Sequence, residues 1–243
     1  MRRFPPFETL AQARRLQEAL RQRVRLEGSP EGARYLAALD ASAKRGEGLF
    51  AVAVLWDLEA GRPLAATSAH VPEERLFPYI PGYLSFREAP AYLEALDHLP
   101  ERPEFLLVDG QGIAHPRGLG IAAHLGVHLD LPAIGVAKRR LVGEPLEALP
   151  DEADVYTPLC APEAPVGVTR PGCPGRQIGW VWRTKPRTNP LFLSPGHRVG
   201  MDETLAFARA LPRTTKLPAP LALAHRLAAR ARTGRLEGQI PLE

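Results

Sequence analysis

Apolar positions change their spacing twice along this chain. In residues 7–26, Leu10, Ala13, Leu16 and Leu20 recur at helical spacing between Arg, Gln and Glu, and Gly28-Ser-Pro ends that helix. Three apolar stretches follow: RYLAALDAS (34–42), LFAVAVLW (49–56) and PLAATSAHV (63–71). The second is apolar throughout, as a strand covered on both faces should be. The turns between them, KRGEG and DLEAGR, are short and polar, so the three should form an antiparallel meander.

From residue 86 onward the pattern alternates. Helical spacing at 86–99 and 117–129 is interleaved with strand-like EFLLVD (104–109) and PAIGVA (132–137), which predicts parallel pairing through helical crossovers. Residues 144–176 are rich in Pro, Gly and acid without a period, and read as a long irregular excursion. A hairpin around KPRTN should pair 178–183 with 190–193, and helices at about 202–211 and 219–232 close the chain. The expectation is an α/β fold: one domain over residues 1–243, with a central mixed five-stranded sheet flanked by helices.

Composition narrows the function only a little. The 243 residues carry a net charge of +4, which fits a nucleic-acid partner without demanding one. Only four of the 31 basic residues are Lys, and there are 26 Pro. Such usage suits a hot environment, and a GC-rich genome would favour the same residues. Cys160 and Cys173 lack Cys-x-x-Cys neighbours, which argues against zinc and leaves a reduced thiol pair as the default. No apolar segment follows Arg2 and Arg3 as in a signal peptide, and the run 49–56 is too short to span a bilayer. A soluble cytoplasmic protein is expected.

The candidate chemistry lies in acids. Asp40 interrupts one apolar strand and Asp109 ends another, ahead of Gly110-Gln-Gly. A lone acid there can be a turn residue, but a carboxylate within an apolar strand is costly unless neutralised. Two such acids on neighbouring strands suggest a shared hard cation such as Mg²⁺. Glu88 has a structural alternative, because Ser85-Phe-Arg-Glu88 has the pattern of a capping box.

The meander followed by crossovers, with acids on the first strand, first helix and fourth strand, resembles the RNase H-like nuclease layout. Three stretches resemble endonuclease V more specifically. They are Phe77-Pro-Tyr-Ile-Pro-Gly-Tyr-Leu-Ser-Phe-Arg-Glu88, Leu106-Leu-Val-Asp109-Gly-Gln-Gly-Ile-Ala-His115-Pro-Arg117 with Gly135-Val-Ala-Lys138, and Phe192-Leu-Ser-Pro-Gly-His197-Arg. Gln111 stands where the family often has His, and an aromatic commonly follows the position of Ser42 where this chain has Ala43.

The resemblance implies Asp40, Glu88 and Asp109 as ligands of Mg²⁺, with Mn²⁺ as a substitute. It implies Lys138 as the group that orients phosphate or water, and His197 close to the metal or scissile phosphate. It makes Pro78-Tyr79-Ile-Pro81 a wedge that replaces an extruded base. Gly82, Leu84, Gly110, His115 and Ile121 would form the lesion pocket. The implied partner is DNA containing deoxyinosine or other deaminated bases. The implied reaction nicks the second phosphodiester 3′ to the lesion, leaving 3′-hydroxyl and 5′-phosphate ends. The alternatives are an inosine-specific ribonuclease, another RNase H-like nuclease such as a resolvase, and an inosine-binding module that does not cut. No stretch points to a membrane or an obligate protein partner.

Overall fold

The unbroken apolar run at 49–56 becomes the most enclosed strand of a wide sheet. In the computed structural model, which describes residues 9–234 and 237–242, every residue of that strand is buried. The elements, in chain order, are α1 (Leu10–Arg21), β1 (Tyr35–Lys44), β2 (Gly48–Asp57), β3 (Arg62–Val71), α2 (Leu84–Asp97), β4 (Phe105–Val108), α3 (Ile121–Leu129) and β5 (Ala133–Ala137). After them come β6 (Glu144–Pro145), β7 (Val155–Ala161), β8 (Arg176–Arg183), β9 (Leu191–His197), α4 (Met201–Ala210), α5 (Ala219–Gly234) and β10 (Gly238–Gln239).

The sheet order is β10-β3-β2-β1-β4-β5-β9-β8-β7-β6. Among the described residues, β1–β4 and β4–β5 are parallel and the other pairings are antiparallel. The mixed sheet flanked by helices agrees with the expectation, and the RNase H-like meander and crossovers form its centre. The strand count does not agree: among the described residues there are ten strands, not five. The additional width comes from the terminal hairpin joining β5 antiparallel, from β7 and β6 extending it, and from β10 capping the other edge. Residues 144–176 are therefore partly sheet.

Side chains alternate across each strand, so odd and even positions serve different layers. From β1, Leu36 and Ala38 join Leu221, Leu227 and Ala228 of α5 on one face. Ala37 and Leu39 join Tyr92 and Leu96 of α2 and Leu125 of α3 on the other.

Several boundaries differ from the sequence pattern for local reasons. The first helix begins at Leu10, where Thr9 closes a capping box with Gln12, and residues 7 and 8 of the predicted span lie outside the described residues. The helix expected from 117 starts at Ile121, because His115 to Gly120 make a turn in which Gly118 N–H donates to the His115 carbonyl. Cys160 and Cys173 form a disulfide with Cα atoms 5.7 Å apart, which replaces the expected thiol pair. β7 and the turn after it bring the two residues together across 13 positions. Among the described residues, no helix is long and apolar enough to cross a membrane.

Candidate active site

The parity that divides the core also aims the acids. Asp40 shares the parity of Leu36 and Ala38, Asp109 that of Phe105 and Leu107, and Lys138 that of Ile134 and Val136, so all three belong to the α5 face. The register pairs Leu39 with Val108 and Leu107 with Ile134, which sets the three at the same ends of adjacent strands β1, β4 and β5. Lys138 Nζ donates to Asp109 Oδ2 and lies 3.6 Å from Asp40 Oδ2.

The fourth member was not legible in the sequence. His225, on α5, places Nδ1 2.6 Å from Asp40 Oδ2 and 3.0 Å from Lys138 Nζ. It sits in ALAHRLAARA, an amphipathic helical stretch in which its neighbours Leu221 and Ala228 are core residues. Only the passage of α5 across β1 brings it to the carboxylates. Ligand atoms of Asp40, Asp109 and His225 all fall within 4.8 Å of one another.

This donor set fits a hard divalent cation. An imidazole nitrogen carries either a hydrogen or a lone pair, whereas His225 Nδ1 faces both a carboxylate and an ammonium that can only donate. One of those contacts must stay unfavourable until a cation accepts lone pairs from both the ring and the carboxylate. Electrostatics point the same way. Burial, then the charge of Asp40, push Asp109 up to about 6 against the opposing pull of Lys138. Glu88 is pushed up to about 8 by burial and then by the charges of Asp40 and Asp109. The negative charge that holds Asp109 and Glu88 up is short of positive charge around it, which a bound divalent ion would supply.

Glu88 approaches the strand ends from α2, within electrostatic reach of both aspartates, but it is not part of the tight Asp40–Asp109–His225 group. The capping box does not form. The N-cap is Tyr83, with no side-chain cap, and Ser85 Oγ instead lies 2.9 Å from His124 Nδ1. Glu88 accepts from the buried Tyr92 hydroxyl one turn later, at 3.5 Å. A buried tyrosine hydroxyl needs such a partner.

His197 is not brought to this cluster. β9 runs antiparallel to β5 and pairs His197 with Ala133, whereas Lys138 follows the opposite end of β5. At about 3.3 Å per residue the separation is roughly 15 Å. His197 is buried, with Nε2 3.2 Å from Asp130 Oδ1 and Nδ1 accepting from the Arg25 backbone N–H at 3.3 Å. The rest of its motif braces the turn after Asp109. Gly112 N–H donates to Ser194 Oγ at 2.8 Å, and Ile113 N–H donates to the Pro195 carbonyl at 2.8 Å. A Cβ on Gly112 would lie 2.2 Å from that carbonyl oxygen, so glycine is required for this approach.

Tyr79, Gly82, Leu84, His115 and Ile121 line one cavity of about 120 Å³, together with Gln111 and Leu141. Gly110 sits behind it, where an added Cβ would lie 2.5 Å from the Ile121 side chain. Tyr79 is 71% exposed at the lip. A cavity of about 890 Å³ opens near the start of β4 and β5, between Arg23, Arg102 and His128. It lies beyond the opposite strand ends from the carboxylates, so size alone does not mark the site.

Residues 18–226 match the family model described as Endonuclease V. Endonuclease V of Thermus thermophilus is 58% identical over 232 residues, covering 94% of this chain and 97% of its own length. The crystal structure of endonuclease V from Streptomyces avermitilis has a TM-score of 0.80 at 35% identity, covering 94% of this chain and 95% of that one. Ciona intestinalis endonuclease V, solved with a 24mer DNA containing an inosine followed by a ribo-adenosine, shares the fold at 20% identity. Its TM-score is 0.76, with 93% of this chain and 99% of that one covered.

Proposed function

Because this chain belongs to the endonuclease V family, a family of nucleases that hydrolyse phosphodiester bonds, we propose that it is a Mg²⁺-dependent endonuclease acting at deoxyinosine in DNA. In this reading a single domain recognises the lesion and nicks the second phosphodiester on its 3′ side, initiating repair in the cytoplasm. The observation that carries it is the convergence of Asp40, Asp109, His225 and Lys138 at one set of strand ends, with Glu88 in electrostatic reach.

Asp40, Asp109 and His225 would hold the cation, with Glu88 supporting it from α2. A Mg²⁺ ion bound there supplies an activated water and neutralises charge on the scissile phosphate, and Mn²⁺ can serve in its place. Lys138 holds the two aspartates together and, once they are neutralised, is free to orient the phosphate. Attack by water at phosphorus breaks the bond to the 3′ oxygen, which leaves with a proton. The ends are then a 3′-hydroxyl and a 5′-phosphate. Tyr79 stacks in the gap left by the extruded base, and the cavity beside His115 and Ile121 receives that base.

The test is nicking of an inosine-containing duplex with Mg²⁺ or with chelator, alongside the adenine duplex and an inosine-containing RNA. Mg²⁺-dependent cutting of the inosine duplex alone, mapped to the second 3′ phosphodiester, is expected. Preferred cutting of the RNA would make the chain an inosine-specific ribonuclease. Binding without cutting would make it a recognition module.

A further inference from the structure

Gln17 is a polar residue on the apolar stripe of α1, flanked at helical spacing by Ala13 and Leu20 and fully buried. That stripe otherwise packs Leu16 and Leu20 against Leu119, Ala123 and Val127. A buried amide on such a face is costly unless both of its ends are bonded. Both are bonded here, and to the rim of the proposed lesion pocket. Oε1 accepts from Arg117 Nε at 2.5 Å, and Nε2 donates to the Gly82 carbonyl at 3.0 Å. Arginine only donates, so the amide's orientation is fixed by chemistry.

The Gly82 carbonyl is where the network converges. It also accepts from Arg117 Nη2 and faces His115 Nε2 at 3.1 Å. His115 Nδ1 accepts the Arg117 backbone N–H, and burial holds the ring's pKa down to about 4. A neutral ring with that acceptor carries its hydrogen on Nε2, so it donates to Gly82. Three donors therefore fix one carbonyl at a residue with φ of +80°, directly after the tip that carries Tyr79. Tyr83 N–H closes the tip on the Ile80 carbonyl at 3.0 Å, and the Arg117 guanidinium lies over the Tyr83 ring.

We infer that Gln17 is a positioning residue for lesion recognition: from α1 it fixes the Gly82 carbonyl, and so the tip and cavity that would take the extruded base. The inference rests on the cavity being the lesion pocket. It gives α1, which carries none of the recognised motifs, a part in choosing the substrate.

Gln17→Glu separates positioning from stability. The substitution keeps an acceptor for Arg117 but turns an oxygen toward the Gly82 carbonyl in place of a donor. The measurements are KM, kcat and Tm for the full chain on inosine duplex and its adenine counterpart. The expected result is a KM on inosine duplex raised about tenfold, the contribution of one hydrogen bond. The kcat at saturation should stay within about twofold, while Tm falls by a few degrees, because the Arg117 partner is kept but the buried Gly82 end is left unbonded. Should Gln17→Glu not fold, Gln17→Met is measured in its place and the same split between KM and kcat is expected. An unchanged KM overturns the inference, as does a loss of kcat that only tracks a loss of Tm. If the parent chain itself does not distinguish inosine from adenine duplex, the pocket reading has failed and this inference falls with it.

Discussion

At the scale of single residues, the carboxylate cluster carries the negative charge that a cation would offset. Asp109 near 6 and Glu88 near 8 retain protons in the folded, cation-free protein. In the unfolded chain they ionise at ordinary carboxylate values of about 4. Between those limits the folded state binds more protons, so the cluster's contribution to stability is lost as pH rises through 6 and 8. His115 and His124, held down to about 4 and 3 by burial, act oppositely below their unfolded values. The informative quantity is therefore the difference in Tm between Mg²⁺ and chelator, followed from about pH 5 to 8.5. It should grow with pH, because the cation displaces protons at low pH and relieves bare repulsion at high pH. A difference that is flat with pH, or absent, would remove the cation from this cluster. Asp40 was readable because an acid inside an apolar strand is conspicuous. His225 was not, because nothing local separates it from any histidine on a helix edge. His197 does not join the carboxylates, because its motif braces the loop behind Asp109.

At the scale of elements, β1 and β2 were legible because their apolar runs exceed what a helix face or loop would carry, and both edges are marked by Gly or charge. β6 and β7 were not, since Pro145 and Pro158 lie within strands near the sheet's edge, where a missing N–H is tolerated. The disulfide at the end of β7 ties down the turn up to Cys173. Closing a loop of that length contributes about 3 kcal/mol in the chain-entropy account. For a protein of this size that corresponds to roughly 6–12 °C in Tm. Cys173→Ser should therefore melt earlier by about that amount, with nicking at moderate temperature within about twofold of the parent. The comparison is a pair of melting curves with matched nicking assays under non-reducing conditions. Equal melting temperatures would mean that the bond contributes nothing to stability.

At the scale of the whole molecule, one end of the sheet carries two devices built from different elements. The candidate cation cluster comes from β1, the residue after β4, the residue after β5 and α5, on one side of the strand plane. The cavity and the Tyr79 tip come from the segment before α2, the turn after β4 and the start of α3. Their side chains do not overlap, so recognition and hydrolysis should be separable by mutation. Asp109→Asn removes a proposed cation ligand and leaves the cavity and Tyr79 in place. It should lose nicking by at least about a thousandfold, since water activation goes with the cation. Binding of inosine duplex should persist, and removal of one like charge should leave the cation-free fold no less stable. Tyr79→Ala should do the reverse. An aromatic stacked on bases contributes about 1–3 kcal/mol, so inosine-duplex affinity should fall roughly ten- to a hundredfold. The residue is 71% exposed, and truncation there should move Tm little. Single-stranded inosine substrate, with no partner base to replace, should show a smaller loss. Equilibrium binding, nicking at saturating protein and melting curves for both variants decide the matter. Parallel loss of binding and cutting in both would mean that the cavity and the carboxylates act as one unit.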